Sequence, residues 1–174
     1  MNQSQDTTKR YFGKYRGLVV NNIDPMFIGR LLVQVSDVKA LLPSTWAMPC
    51  VPIAGTQCGA YVVPAVGAGV WVEFEHGDPQ FPIWVGGYWL ETAEVPALAQ
   101  AGLPGSPSIV LQTLGQNTIA ISDLPGAGGI LLKSATGALI MVNEVGITIS
   151  NGQGATIIMA GPTVTINEGA LVIT

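Results

Sequence analysis

Apolar and polar residues alternate in short runs along the carboxyl-terminal part of the chain. From Ile130 onward the runs begin about every eight residues, and each holds four or five residues. A period of two is typical of β-strands that bury one face. The sequence therefore predicts seven short strands: Thr118–Ser122, Ile130–Lys133, Ala138–Val142, Gly146–Ser150, Ala155–Met159, Thr163–Asn167 and Ala170–Thr174.

Corners rich in glycine, asparagine and proline separate these strands. Glycine provides the positive φ that tight corners require. Each strand is expected to present its apolar residues on one face, through the pairs Leu139/Met141, Ile147/Ile149, Val164/Ile166 and Leu171/Ile173. A single chain of this kind cannot enclose a hydrophobic interior, because each unit needs a neighbour to cover it. A single-chain solenoid and a prism woven from three chains both remain open, and the short repeat favours the prism.

A different pattern of short alternating strands occupies the first half of the chain. The candidates are Gly13–Val20, Arg30–Val35, Trp46–Ile53, Gly69–Glu75 and Phe81–Gly87. Five strands separated by turn-rich loops are typical of a small closed barrel such as an OB-fold. Helical periodicity is limited to single turns at Val38–Leu42 and Ala97–Ala101. The predicted fold is all-β: an OB-fold barrel followed by an intertwined trimeric β-helix, or β-prism, needle.

Changes in composition predict four segments. Residues 1–12 form a polar tail, residues 13–94 the barrel, residues 95–108 a linker rich in proline, alanine and glycine, and residues 109–174 the trimeric needle. Only 10% of the 174 residues are charged, against about 25% in typical soluble proteins, and the net charge is −4. Such a surface indicates burial, either in a membrane or between subunits. No apolar run approaches the roughly 18 residues of a membrane span, which favours subunit burial.

Candidate chemistry is sparse. The first residues lack the apolar region of a signal peptide. Glu73, Glu75 and Asp78 suggest an acidic catalytic group, but two carboxylates on one strand face do not make the opposed pair of a glycosidase. His76 has no evident partner, and Cys50 and Cys58 do not form a C-x-x-C pair, so neither a metal nor a cofactor is expected. The sequence predicts a protein that is not an enzyme.

Three short motifs in the barrel segment carry a family resemblance. D-P-x-x-x-G-R at Asp24–Arg30, W-A at Trp46–Ala47 and G-D-P-x-x-P at Gly77–Pro82 occur in the order found in contractile-tail spike proteins. The segment from Lys14 to Trp89 resembles the OB-fold domain of that family. Its members include phage baseplate assembly protein V, the central spike of T4-like phages and the VgrG proteins of type VI secretion. In that family a trimeric β-helix follows the OB-fold.

This resemblance implies a structural role. The chain would join a trimeric tail hub to a membrane-piercing needle, as a homotrimer that touches the target membrane only transiently. It would be located in the baseplate of a phage virion or a phage-tail-like particle, assembled in the bacterial cytoplasm. The core of the trimer would contain Leu139, Met141, Ile147, Ile149, Val164 and Ile166. No histidine follows His76, so the H-x-H iron site of many phage spikes is absent, and Leu171, Val172, Ile173 and Thr174 would instead contact a PAAR-type tip protein.

A basic and aromatic segment precedes the first predicted strand. It contains Lys9, Arg10, Tyr11, Phe12, Tyr15 and Arg16. Interleaved cations and aromatic rings suit a single-stranded nucleic-acid-binding module, which OB-folds often are. The acidic chain and the scarcity of basic residues on the expected binding strands argue against nucleic acid and favour docking on the tail hub. A spike-associated cell-wall hydrolase is the other alternative, disfavoured by the lack of catalytic motifs.

Overall fold

The computed structural model describes residues 9–38, 43–101 and 108–173. The chain divides into two compact units, Met1–Thr92 and Ala93–Thr174. Apart from strands and turns, the described residues contain one short α-helix, α1 at Ala97–Gln100, and three single 3-10 turns. The predicted all-β class is confirmed. The helical turn predicted at Ala97–Ala101 is present, whereas most of the one at Val38–Leu42 lies outside the described residues.

The first unit is built on a curled five-stranded sheet. Its strands are β1 (Tyr15–Asn21), β2 (Leu32–Gln34), β3 (Met48–Pro49), β6 (Gly69–Phe74) and β7 (Pro82–Tyr88), and β4 (Ala54–Gly55) pairs separately with β5 (Cys58–Gly59). The order is β2-β1-β6-β7-β3, with only β3 and β7 parallel. An antiparallel bridge between Leu31 and Ala47 joins the two edges, which gives the barrel that the sequence predicts.

The barrel encloses its own apolar core. Val19, Leu31, Val33, Val70 and Val72 are almost completely buried. These residues alternate along the chain with less buried ones, as a half-buried strand requires. The first unit therefore buries a core without help from a partner.

The second unit is an eight-stranded antiparallel sheet with strands in sequence order. Seven strands agree with the predicted ones to within one residue at every described boundary, and the eighth, β8, was not predicted. The strands are β8 (Ser108–Gln112), β9 (Thr118–Ser122), β10 (Gly129–Lys133), β11 (Leu139–Asn143), β12 (Gly146–Ser150), β13 (Thr156–Ala160), β14 (Thr163–Ile166) and β15 (Leu171–Ile173). Residues 93–101, largely assigned by the sequence to a linker, belong to this unit, where α1 contacts β8.

Pairing of these strands corrects one prediction. An intertwined prism woven from three chains would pair strands of different chains, but each of β8–β15 pairs with its neighbours in sequence within the one chain described. Connections of only two residues, Glu144–Val145 and Gly161–Pro162, explain this, because so short a link joins consecutive strands as a hairpin. Within the described residues, the backbone pairing between neighbouring strands of this sheet is therefore made inside the chain, and only the outer edges of β8 and β15 lack a partner strand.

A glycine fixes the contact between β12 and β13. Gly146 has a φ of +154°, and a Cβ atom at this position would overlap the carbonyl oxygen of Met159. Gly154 has a positive φ of +101° but open space around it. A side chain at Gly154 would introduce backbone strain alone, whereas one at Gly146 would introduce both backbone strain and steric overlap. Comparing the two positions therefore separates the two contributions to stability.

We expect Gly146→Ala to destabilise the second unit by roughly 3 kcal/mol or more, since overlap adds to backbone strain. Gly154→Ala, with backbone strain alone, should cost about 1 kcal/mol. Thermal unfolding followed by circular dichroism measures both. Equal losses for the two variants would show that the close approach to Met159 does not restrict the sheet.

Asp24 organises the loop between β1 and β2. Its buried carboxylate accepts hydrogen bonds from the backbone N–H groups of Met26, Ile28 and Arg30 at 3.0, 3.0 and 3.2 Å. The Arg30 guanidinium donates two more, at 3.0 Å from Nε and 2.7 Å from Nη2. Arg30 lowers the pKa of the Asp24 carboxyl most; burial opposes this, and the three backbone N–H groups add to the lowering. This network explains the structural role of the first and last residues of the D-P-x-x-x-G-R motif, which hold the loop together.

The Asp24 network predicts a pH dependence of stability. A carboxyl whose pKa is lowered by folding stabilises the folded state above its unfolded pKa of about 3.9, and this stabilisation is lost as the pH falls further. Asp24→Asn should lower the thermal midpoint at pH 7 by about 5 °C or more and weaken its decline between about pH 4 and pH 2. Exposed Asp37 provides the control Asp37→Asn, which should leave both unchanged. An Asp24→Asn profile parallel to that of the unmodified protein would contradict this role.

Candidate assembly surfaces

One face of the second unit is apolar from end to end. In antiparallel sheets, paired residues lie on the same face, and so do residues two apart in a strand. The register places sixteen residues on one face, called here the apolar face: Ile109, Leu111, Ile119, Ile121, Ile130, Leu132, Ile140, Val142, Ile147, Ile149, Ile157, Met159, Val164, Ile166, Leu171 and Ile173.

The apolar face is largely uncovered in the single chain. Twelve of its sixteen side chains are exposed, by between 38 and 64%. Monomeric soluble proteins rarely expose a contiguous apolar patch of more than a few hundred Å². A surface of this extent indicates a protein–protein interface.

The opposite face of the same sheet has a different character. Near β8–β11 its central residues are apolar, and α1 lies over them. A cavity of about 250 Å³ separates the helical segment from the sheet there, lined by Leu98, Ala101, Val110, Ala120, Leu131 and Met141, among others. Farther along, threonines alternate with apolar residues, as at Thr148, Ile158 and Thr165. This face is therefore partly covered by its own chain and partly polar.

The register divides the predicted trimer core between the two faces. Ile147, Ile149, Val164 and Ile166 lie on the apolar face, but Leu139 and Met141 lie opposite, so the expectation of a single shared face is corrected. In β11 both alternating sets are apolar, and periodicity alone cannot assign a face. The two-residue connection at Glu144–Val145 was the missed signal, because it pairs Asn143 with Gly146 and so Val142 with Ile147.

Side-chain acceptors also connect successive turns on each side of the sheet. Asn117 Oδ1 accepts a hydrogen bond from the Ala135 N–H at 3.1 Å, across two strands. Asn167 Oδ1 likewise accepts from the Thr156 N–H at 3.0 Å. On the other side, Glu144 Oε1 accepts from the Gly126 N–H at 2.6 Å. These hydrogen bonds add to those between the strands. Each joins two turns that are neighbours on one side of the sheet but are separated by two strands in the sequence.

The predicted tip-contact residues occupy the last strand of the sheet. Leu171 and Ile173 lie on the apolar face and are about half exposed. Val172 pairs with Thr165, and Thr174 lies outside the described residues. In the part of the chain described, β15 pairs with β14 alone, so its other edge carries free backbone groups.

The first four predicted hub-docking residues extend across the barrel surface. The Tyr11 N–H donates to the Gly77 carbonyl oxygen at 2.8 Å, and the Lys9 ammonium lies 5.0 Å from the Tyr11 ring centroid. Arg10 Nη1 donates to the His76 carbonyl oxygen and lies 3.7 Å from an Asp78 carboxylate oxygen. Phe12 stays 73% exposed.

The other two residues of that set differ in environment. Tyr15 packs against the core, with its ring centroid 5.5 Å from that of Phe74. Arg16 lies over two aromatic rings on the outer surface, with Cζ 5.7 Å from the Trp71 centroid and 5.4 Å from that of Tyr88. Arginine, tryptophan and tyrosine are the residues enriched at interface hot spots. Of the six, Phe12 and Arg16 thus present the clearest contact surfaces.

The acidic residues considered for catalysis are engaged in surface ion pairs or turns. Glu73 pairs with Lys14, and Asp78 with Arg10. Asp78 also accepts from the Gln80 N–H, and Glu75 begins the 3-10 turn Glu75–Gly77. Cys50 and Cys58 are free and exposed. Among the described residues, no group of three or more histidine, cysteine or acidic side chains is placed to hold a metal ion.

Family comparisons match both units. The model of the type VI secretion system/phage-baseplate injector OB domain matches residues 15–89, and that of the phage baseplate V C-terminal trimerisation domain matches residues 108–172. No curated protein matches significantly. Within the described ranges, no helix is long and apolar enough to cross a membrane. Members of this family are structural proteins of the baseplate. The match to the trimerisation domain supports a homotrimer, and the match to the family supports a location in the virion baseplate. The chain belongs to the phage baseplate spike family.

Proposed function

We propose that this chain is the central spike of a contractile injection machine. Three copies form a needle from their second units, and their barrels join that needle to the tail hub. Contraction of the tail drives the needle through the target envelope. The observation that carries this proposal is the continuous apolar face of the eight-stranded sheet.

The apolar face is the side we assign to the interior of the trimer. It has no charged residue, and the described part of its own chain leaves most of it exposed. On the opposite face α1 covers apolar residues, and threonines suit contact with water. Each aliphatic side chain that becomes fully buried contributes roughly 1.5–3 kcal/mol, so a face of sixteen residues strongly favours association.

Three such sheets can form a prism with a dry interior. Eight strands spaced about 4.8 Å apart extend about 34 Å across the sheet. The hydrogen bonds within each sheet and between its turns support a stiff body. Because the backbone is paired within each chain, the apolar face rather than strand exchange provides the association.

We propose partners of two classes, a trimeric hub protein and a PAAR-type tip protein. Phe12 and the Arg16–Trp71–Tyr88 cluster supply exposed aromatic area and a cation for a trimeric hub protein. At the other end of the chain, the open edge of β15 and its neighbours Leu171 and Ile173 suit a PAAR-type tip protein. The target membrane is touched only while it is pierced.

A pair of substitutions in β12 tests which face lies inside. Ile147→Asp should abolish the trimer, because it places three carboxylates in the dry interior. Thr148→Asp, the adjacent residue on the opposite face, should leave the trimer intact. Light scattering at micromolar concentration measures both masses. An intact trimer for Ile147→Asp together with monomers for Thr148→Asp would reverse the assignment.

The proposed role also predicts where the protein is found and what it lacks. An affinity tag on the chain, visualised by electron microscopy of purified particles, should label the tail axis at the baseplate. The purified trimer should release no muropeptides and show no salt-sensitive binding of oligo(dT). Labelling of the sheath or fibres, hydrolysis of cell wall, or such DNA binding would each contradict the spike assignment.

A further inference from the structure

The barrel carries an apolar groove that its own core does not require. The cavity has a volume of about 460 Å³ and runs beside β3, the β4–β5 hairpin and the segment after it. None of its sixteen lining residues is charged. The most exposed apolar side chains on its wall are Phe27, Ile53, Tyr61 and Val62. Trp84, buried in the barrel, also lines it and donates its indole N–H to the Gly29 carbonyl oxygen at 3.0 Å.

The backbone of the groove wall is strained at Phe27. Its φ of +55° is unusual for an aromatic residue, and the residue is 81% exposed. The Phe27 N–H donates to the Asp24 carbonyl oxygen at 3.0 Å, inside the loop that the Asp24 carboxylate organises. Backbone strain that keeps a large apolar side chain in water is typical of a preformed contact surface.

We propose that a second copy of the chain covers this groove, so that barrels of neighbouring protomers pack against each other there. This inference rests on the proposed trimer and names the part of the barrel that contacts the next copy. In a cyclic trimer each contact joins two different surfaces, so the groove of every barrel is filled once by its neighbour. The groove wall has no charged residue, and the centres of protein–protein interfaces are likewise depleted of charged residues.

The covalent connection favours a second copy over a foreign partner. The last barrel strand ends at Tyr88, and the second unit begins at Ala93. Three barrels attached so closely to one trimer have effective concentrations of about millimolar, where even a weak contact forms. Any other protein would have to displace a tethered neighbour.

Cys58 lies on the groove wall and reports whether it is covered. In the single chain it is exposed, as is Cys50, so Cys50→Ser leaves one reporter. Maleimide should modify Cys58 about tenfold or more slowly in the intact trimer than in trimers whose groove contact is broken, because modification requires the interface to open. The same rate is measured in the Ile147→Asp monomer, where we expect it to be fast.

Two matched substitutions separate the groove from the rest of the surface. Val62→Asp places a charge on the groove wall, whereas Val66→Asp places one on an exposed side chain outside it. Val62→Asp should restore fast modification of Cys58 while the second units keep the protein trimeric. Val66→Asp should preserve both the slow rate and the trimer.

The outcomes distinguish this inference from the proposed function. A trimer in which Cys58 reacts as fast as in the Ile147→Asp monomer overturns the groove contact and leaves the spike proposal standing. A monomeric unmodified protein overturns both. Slow modification in trimer and monomer alike, unaffected by Val62→Asp, would mean that the groove closes within one chain or retains a small apolar ligand, and it would also overturn contact with a second copy.

Discussion

The apolar face of the second unit is the constraint on which the rest of this molecule depends. Its sixteen side chains come from every strand of the sheet, and most are exposed in the single chain. In the proposed trimer, the other copies remove that face from water, which stabilises the sheet. The other features of the unit are consistent with it: α1 covers apolar residues on the opposite face, and threonines replace them farther along. The low charged fraction of the chain, 10%, is consistent with the same proposed burial.

The barrel, unlike the sheet of the second unit, buries its apolar core within a single chain. Five strands close around a valine-rich core, so the first unit does not depend on a partner for its interior. Several other apolar residues of the unit are exposed, among them Phe27, which has a φ of +55° in the loop that the Asp24–Arg30 interaction organises. A structure that stays strained without improving its own core is better explained by contact with something else. The proposed assembly therefore combines a sheet that buries its apolar face between copies with a barrel whose exposed groove contacts the next copy.

Strand positions from Thr118 onward could be predicted from the sequence, but the assignment of faces could not, and in the barrel the predicted strand Trp46–Ile53 is reduced to Met48–Pro49. Glycine and asparagine corners bracket short strands, so the predicted boundaries from Thr118 onward differ by at most one residue from those that the structure describes. Face assignment failed where both alternating sets are apolar, as in Leu139–Val142, because only pairing with neighbouring strands decides between them. β8 was missed because Ser108–Gln112 follows a segment that reads as a linker. The Asp24 motif was recognised by resemblance, while its hydrogen bonds required the structure.

The arrangement of hydrogen bonds relates this architecture to a mechanical role. In an antiparallel meander the inter-strand bonds run along the direction in which strands stack. A force that the proposed injection applied evenly in that direction would be distributed over all bonds of a strand pair. The bonds from Asn117 to Ala135 and from Asn167 to Thr156 each bridge from one turn to the next on the same side, so adjacent hairpins resist sliding past each other. When the apolar face is dry, the same bonds are shielded from water on one side, and the association that buries the face also stiffens the sheet.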